Sequence, residues 1–173
     1  MDQGSNNGRG IIPSPPDAWT RIHAGWAIPI TVKPITQINL PAQSLQDSII
    51  KILIDDDEYF LIENRNNWFR DGVSIDSARY AIFEATEDYP PYIEVIVDSV
   101  DLINDSNNVV VSVPDYDLGL PASGLLIWHI DESVIQTAPD EYSINADKAR
   151  RGVELEEADG AQDIGYPNIH LFA

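Results

Sequence analysis

Apolar positions along the chain come in short runs set apart by turn residues, a spacing that predicts strands more often than helices. SIIKILI, residues 48–54, is dense in β-branched residues and predicts a strand. DDDE, residues 55–58, then turns the chain, and YFLIEN, residues 59–64, runs back as the second arm of a hairpin. In that arm Tyr59 and Leu61 share one face and Phe60 and Ile62 the other. Both faces are apolar, so the strand is expected inside a packed sheet. AIPITV (27–32, interrupted by Pro29), ITQINL (35–40), IEVIVDSVDL (93–102) and VVVSV (109–113) are further predicted strands, with INDSNN as a turn before the last. GLLIWHID, residues 124–131, places Leu126, Trp128 and Ile130 on one face and Leu125, Ile127 and His129 on the other. GVELEE, residues 152–157, reads as a final strand.

Helical signals are fewer. Pro15-Pro16-Asp17 precedes AWTRIHAGW. Asp17 suits an N-cap and Gly25 a C-terminal stop, which predicts about two turns of helix between them. Ala18, Trp19, Ile22 and Trp26 would share its buried side. DESVIQT (131–137) begins a helical turn, RNNWFRDGVSID (65–76) reads as a long loop, and SARYAIFEAT (77–86) suits a helix or a strand, with strand preferred. NADKARRG (145–152) is polar and irregular, and no internal repeat is present.

The 173 residues fit one domain, or one domain and part of another, and 43% apolar content is enough for a core. Twelve prolines and ten glycines agree with a turn-rich, mainly β chain. A net charge of −19 makes nucleic acid and anionic membrane poor partners, because both would be repelled. With no cysteine, disulfides and thiolate metal sites are excluded. No apolar run approaches the ~20 residues of a membrane span. The first residues, MDQGSNNGRG, contain no hydrophobic signal core.

Catalytic patterns are mostly missing. The three histidines are His23, His129 and His170. None is followed by Glu and none lies four residues from another, so the His-Glu-x-x-His zinc helix is absent. Ser123 sits in ASGLL, which is not a nucleophile elbow, and there is no phosphate-binding loop or dinucleotide fingerprint. His129 and Asp131, two apart on a strand, would share a face and could begin a metal site, but the preferred reading is the wet end of a buried strand. Oxygen-rich loops offer calcium candidates: Asp55–Glu58, then Asp101, Asn104, Asp105 and Asn107, and above all Asp159 and Asp163 in ADGAQD. None follows the EF-hand spacing. Glu154, Glu156 and Glu157 could supply a carboxylate pair, and Trp68, Phe69 and Tyr89 could stack on sugar or peptide.

MDQGSNNG, PPDAWTRIHAGW, EYFLIENRN, GLLIWHIDE and GVELEEADG occur in that order from residue 1 to about residue 165. Together they resemble the M6 family of metalloproteases, secreted zinc peptidases similar to immune inhibitor A. The resemblance implies that Met1 stands where the methionine turn lies beneath the zinc, as a support and not a ligand. The zinc ligands and the catalytic glutamate would then lie upstream, so Met1 would be an internal methionine and this chain alone inactive. It also implies an extracellular protein, a protein or peptide substrate for the parent, and the upstream catalytic segment as this chain's partner. Zinc would be the parent's cofactor, with calcium a candidate in the loops. The expected organisation is residues 1–27 as the end of an α/β catalytic domain, leaving a short N-terminal helix. Residues 28–173 would be a mainly β, β-sandwich-like module, truncated at its C-terminus. The competing expectation is a stand-alone extracellular β module that binds calcium or glycan.

Overall fold

The computed structural model describes residues 14–33, 37–42, 48–70, 73–88, 103–104, 110–112, 116–117, 120, 123–140, 142–158 and 160. The hairpin anticipated at 48–64 is the nucleus of its main sheet. β2 (Ile50–Leu53) and β3 (Glu58–Arg65) pair antiparallel from Ile50 opposite Ile62 to Leu53 opposite Tyr59. Asp55 makes the turn: its Oδ1 accepts from the backbone N–H of Asp57 at 2.9 Å and of Glu58 at 2.8 Å. A short carboxylate that bonds its own backbone two and three residues on is the reason aspartate favours such turns. β1 (Ile30–Val32), which starts after Pro29, joins the far side of β2 in parallel.

β3 lies in the middle of the sheet, as its two apolar faces predicted. β8 (Gly124–Asp131) pairs antiparallel along its whole length, from Glu58 opposite Asp131 to Arg65 opposite Gly124. β9 (Val153–Leu155) closes the other edge of β8, giving the order β1-β2-β3-β8-β9. Two small ribbons stand apart: β4 (Trp68–Arg70) with β5 (Val73–Ser74), and β6 (Ile103–Asn104) with β7 (Val110–Ser112).

Among the described residues, three helices accompany the strands. α1 (Ala18–His23) is capped as expected, the Asp17 carboxylate accepting from the Thr20 N–H at 2.9 Å and the Thr20 hydroxyl at 2.7 Å. It ends at Gly25, whose φ of 74° is left-handed. There the Trp26 N–H bonds the Arg21 carbonyl and the Gly25 N–H that of Ile22, the paired closure that glycine permits after a helix. α2 (Ile75–Thr86) follows β5 directly. α3 (Glu132–Thr137) grows from the end of β8.

One core joins α1 to the sheet. Ala18, Ala27, Ile49, Tyr59, Leu61 and Ile130 are buried together, with Trp19, Ile22, Trp128, Ile135 and Val153 packed around them. Trp26 departs from its expected place: it is 69% exposed, because the chain reverses at Gly25 and carries it off the helix face.

Other expectations are corrected. SARYAIFEAT is helix, not strand: Ser74 caps it by accepting from the Ser77 N–H, and Ala78, Ala81 and Ala85 favour the helix. The expected loop at 65–76 contains the β4–β5 ribbon. Residues 37–40 of ITQINL form no strand, and IEVIVDSVDL lies outside the described residues. No helix among the described residues is long and apolar enough to cross a membrane.

Candidate functional site

His129, Asp131 and Glu132 were the residues most suggestive of chemistry, and each is occupied in holding the end of β8. His129 Nε2 lies 2.8 Å from Glu58 Oε1 on the neighbouring strand, with its ring tilted against Phe60. Asp131 caps α3, its Oδ1 accepting from the Val134 N–H at 3.1 Å and from the Ser133 hydroxyl. Its Oδ2 takes both Nε and Nη2 of Arg150, at 3.0 and 2.8 Å. Burial alone would raise the Asp131 pKa; the Ser133, Val134 and Arg150 donors outweigh it and hold the pKa below the ordinary carboxylate value. Glu132 accepts from the Tyr59 hydroxyl at 2.6 Å. Burial first, then this bond, raises the Tyr59 pKa, so the phenol stays protonated. Lys51 completes the group, its Nζ 3.4 Å above the centre of the Tyr59 ring.

Beside this strand end lies an open hollow of about 390 Å³, lined by Asp55–Glu58, Asp131, Ser133 and Arg150. It brings the predicted turn carboxylates next to the predicted strand-end carboxylate. Asp55 is engaged with its own turn, Glu58 with His129 and Asp131 with Arg150. Among the described residues no group of three or more His, Asp or Glu side chains is placed to hold a metal ion. A zinc cage therefore cannot be drawn from these described residues. Met1, Asp159 and Asp163 lie outside the described residues, as do His170, Asp101, Asp105, Asn107 and Tyr89. Glu154 pairs with Arg151 at 3.1 Å.

The centre that sequence reasoning missed is ionic and buried. The inward side of β3 carries Tyr59, Leu61, Glu63 and Arg65, so two charged residues continue an apolar row into the core. Glu63 Oε2 accepts from Arg21 Nη2 at 2.7 Å and from Arg65 Nε at 2.9 Å. Its Oε1 accepts from the Trp128 indole N–H at 2.8 Å. Arg65 Nη1 reaches Asp117 at 2.7 Å. Both guanidinium groups also donate to the Pro16 carbonyl, Arg21 at 3.0 Å and Arg65 at 2.9 Å. The four charged side chains are no more than 4% exposed. Burial works against the charge on Arg65, but Glu63 and then Asp117 outweigh it and raise its pKa. Two cations and two anions balance, which makes the cluster tolerable inside the fold. The signal available in the sequence was the period of two, which aligns Glu63 and Arg65 with Leu61. Compared with family models, curated proteins and solved structures, the chain matches none of them.

Proposed function

We propose that this chain is the part of a secreted, M6-like zinc metallopeptidase that follows the zinc-binding helix. The observation that carries the reading is the ordered set of five stretches from MDQGSNNG to GVELEEADG. Support comes from where three of them meet. PPDAWTRIHAGW contributes Pro16 and Arg21, EYFLIENRN contributes Glu63 and Arg65, and GLLIWHIDE contributes Trp128 to one buried cluster. Such a cluster ties the segment entering α1 to the sheet. In this reading Met1 heads the turn beneath the zinc, and residues up to 27 close the catalytic domain. The β-rich remainder is a sandwich-like module, in which the five-stranded sheet forms one layer. Its second face, with Ile62, Leu125 and Ile127, is apolar enough to meet another. Zinc belongs to the upstream segment, peptide hydrolysis to the whole parent, and calcium to the loops at Asp159 and Asp163.

The test reads the genomic frame immediately upstream of Met1 and then assays the polypeptide it encodes. A His-Glu-x-x-His segment, and casein cleavage that requires zinc and both parts, are expected. The reading is overturned by an upstream frame without that segment. Peptide cleavage by the 173-residue chain alone with one bound zinc overturns it equally.

A further inference from the structure

A groove of about 510 Å³ is lined by α1 and by the loop that follows α3. This volume is in the range of small-ligand sites. Its bed is apolar, formed by Trp19, Ile135, Ile144 and Val153, and two aspartates, Asp17 and Asp140, belong to its wall. Among the described residues no lysine or arginine lines it, and His23 is the one basic side chain there. We propose that this groove binds the side chain of a lysine or arginine presented by a polypeptide.

The two wall carboxylates favour that chemistry. Asn145 is fully committed, its amide donating to the Val153 carbonyl at 2.8 Å and accepting from the Val153 N–H at 3.0 Å. The Thr20 hydroxyl donates to Asp17. The acceptors, by contrast, have capacity left. Asp140 takes the Tyr142 N–H at 3.0 Å and the Ser143 hydroxyl at 2.6 Å on Oδ1, and no donor among the described residues reaches Oδ2. Asp17 uses one bond on each oxygen, where a carboxylate oxygen accepts two. A wall with surplus anionic acceptors favours a ligand head that only donates, an ammonium or guanidinium. The apolar bed suits the methylene stem behind such a head. Trp19 stacks on His23, with ring centroids 4.8 Å apart and 14° between the planes, so the two rings form one flat wall. Tyr142, 84% exposed, offers a ring to the ligand's flanking backbone. The site stands on this geometry whether or not the chain belongs to a peptidase.

The experiment titrates the 173-residue chain with Nα-acetyl-lysine methylamide and its arginine counterpart, reading the Trp19 indole N–H by NMR. The norleucine analogue, which keeps the stem and lacks the charge, is the control. Saturable shifts are expected with both cations, with the norleucine compound weaker by about tenfold, the worth of one charge-assisted hydrogen bond. Asp17→Asn with Asp140→Asn should weaken the cations by at least about tenfold at an unchanged melting temperature. Asparagine keeps both local roles, as helix cap and turn acceptor. The proposal is overturned if no saturable shift occurs at Trp19, if norleucine binds as tightly, or if the double variant binds as the parent does. Saturation by 1,5-diaminopentane without binding of either blocked amino acid would assign the groove to a free polyamine and overturn the peptide occupant.

Discussion

Glu63 is fully buried yet holds two guanidinium groups and an indole, so removing it should be far costlier than removing a surface carboxylate. Glu63→Ala would leave Arg21 and Arg65 facing each other with only Asp117 to balance them, an unpaired buried charge worth about 3–5 kcal/mol. Urea unfolding followed by tryptophan fluorescence should show a loss of that size; a loss below about 1 kcal/mol would mean that the cluster is hydrated. Asp131 gives a second, pH-dependent prediction. Its pKa is lower folded than unfolded, so its contribution is full above the unfolded carboxylate value and fades as pH falls through the folded one. Asp131→Asn keeps the α3 cap but removes the negative charge that pairs with Arg150. The variant should be less stable near neutral pH by about 1 kcal/mol, a modest figure because Arg150 is largely exposed. The gap should close as the solution is acidified below the ordinary carboxylate range, which thermal melts across pH would display. At this scale the sequence was half legible. Alternation could align Glu63 and Arg65 with Leu61, although the strand was expected to end at Asn64 with Arg65 in a loop, and Arg21 and Asp117 lie 42 and 52 residues from their partners, beyond any local pattern.

Among the elements, those with a strong local cause were read correctly and those without one were not. Asp17 and Gly25 bound α1 through side-chain capping and a left-handed backbone, both visible as residue types. α2 was misread because its Tyr80 and Phe83 are exposed, so no apolar stripe marks a helical period, while Ile82 and Phe83 imitate a strand. Ser74 three residues before Ser77 was the available cue. Gly152 shows how one element presses on another. A Cβ there would lie 2.7 Å from Ile135 Cγ1 of α3 and 3.0 Å from the Ile144 carbonyl. The backbone contact cannot be relieved by a rotamer change. Gly152→Ala is therefore expected to cost about 1–3 kcal/mol and to lower the melting temperature. Adding Ile135→Ala should recover only part of that loss, since the carbonyl contact remains. An alanine at position 152 that melts like the parent would contradict the packing of β9 against α3.

For the molecule as a whole, the strand order needed information that no window of sequence contains. The β2–β3 hairpin is local, but β8 joins β3 from more than 60 residues away and β1 adds in parallel. The expected boundary between residues 27 and 28 came with the family resemblance, at the point where the pattern changes from helix to strand. In space, Ala18 and Ala27 share a core with Leu61 and Ile130, and Arg21 reaches across to Glu63. A helix of six residues has little stability of its own, so α1 persists only through these contacts. Its protection against hydrogen exchange must then follow that of the sheet. Amide exchange measured by NMR should give Ala24 and Trp26, whose N–H groups close the helix end, opening energies that fall together with those of β3 when Glu63→Gln weakens the cluster. Glutamine retains the shape and an acceptor, so the fold should survive for the measurement. If β3 loses protection while the α1 amides keep theirs, the helix is held by something other than the ionic centre, and the clamp on Pro16 would not couple the two.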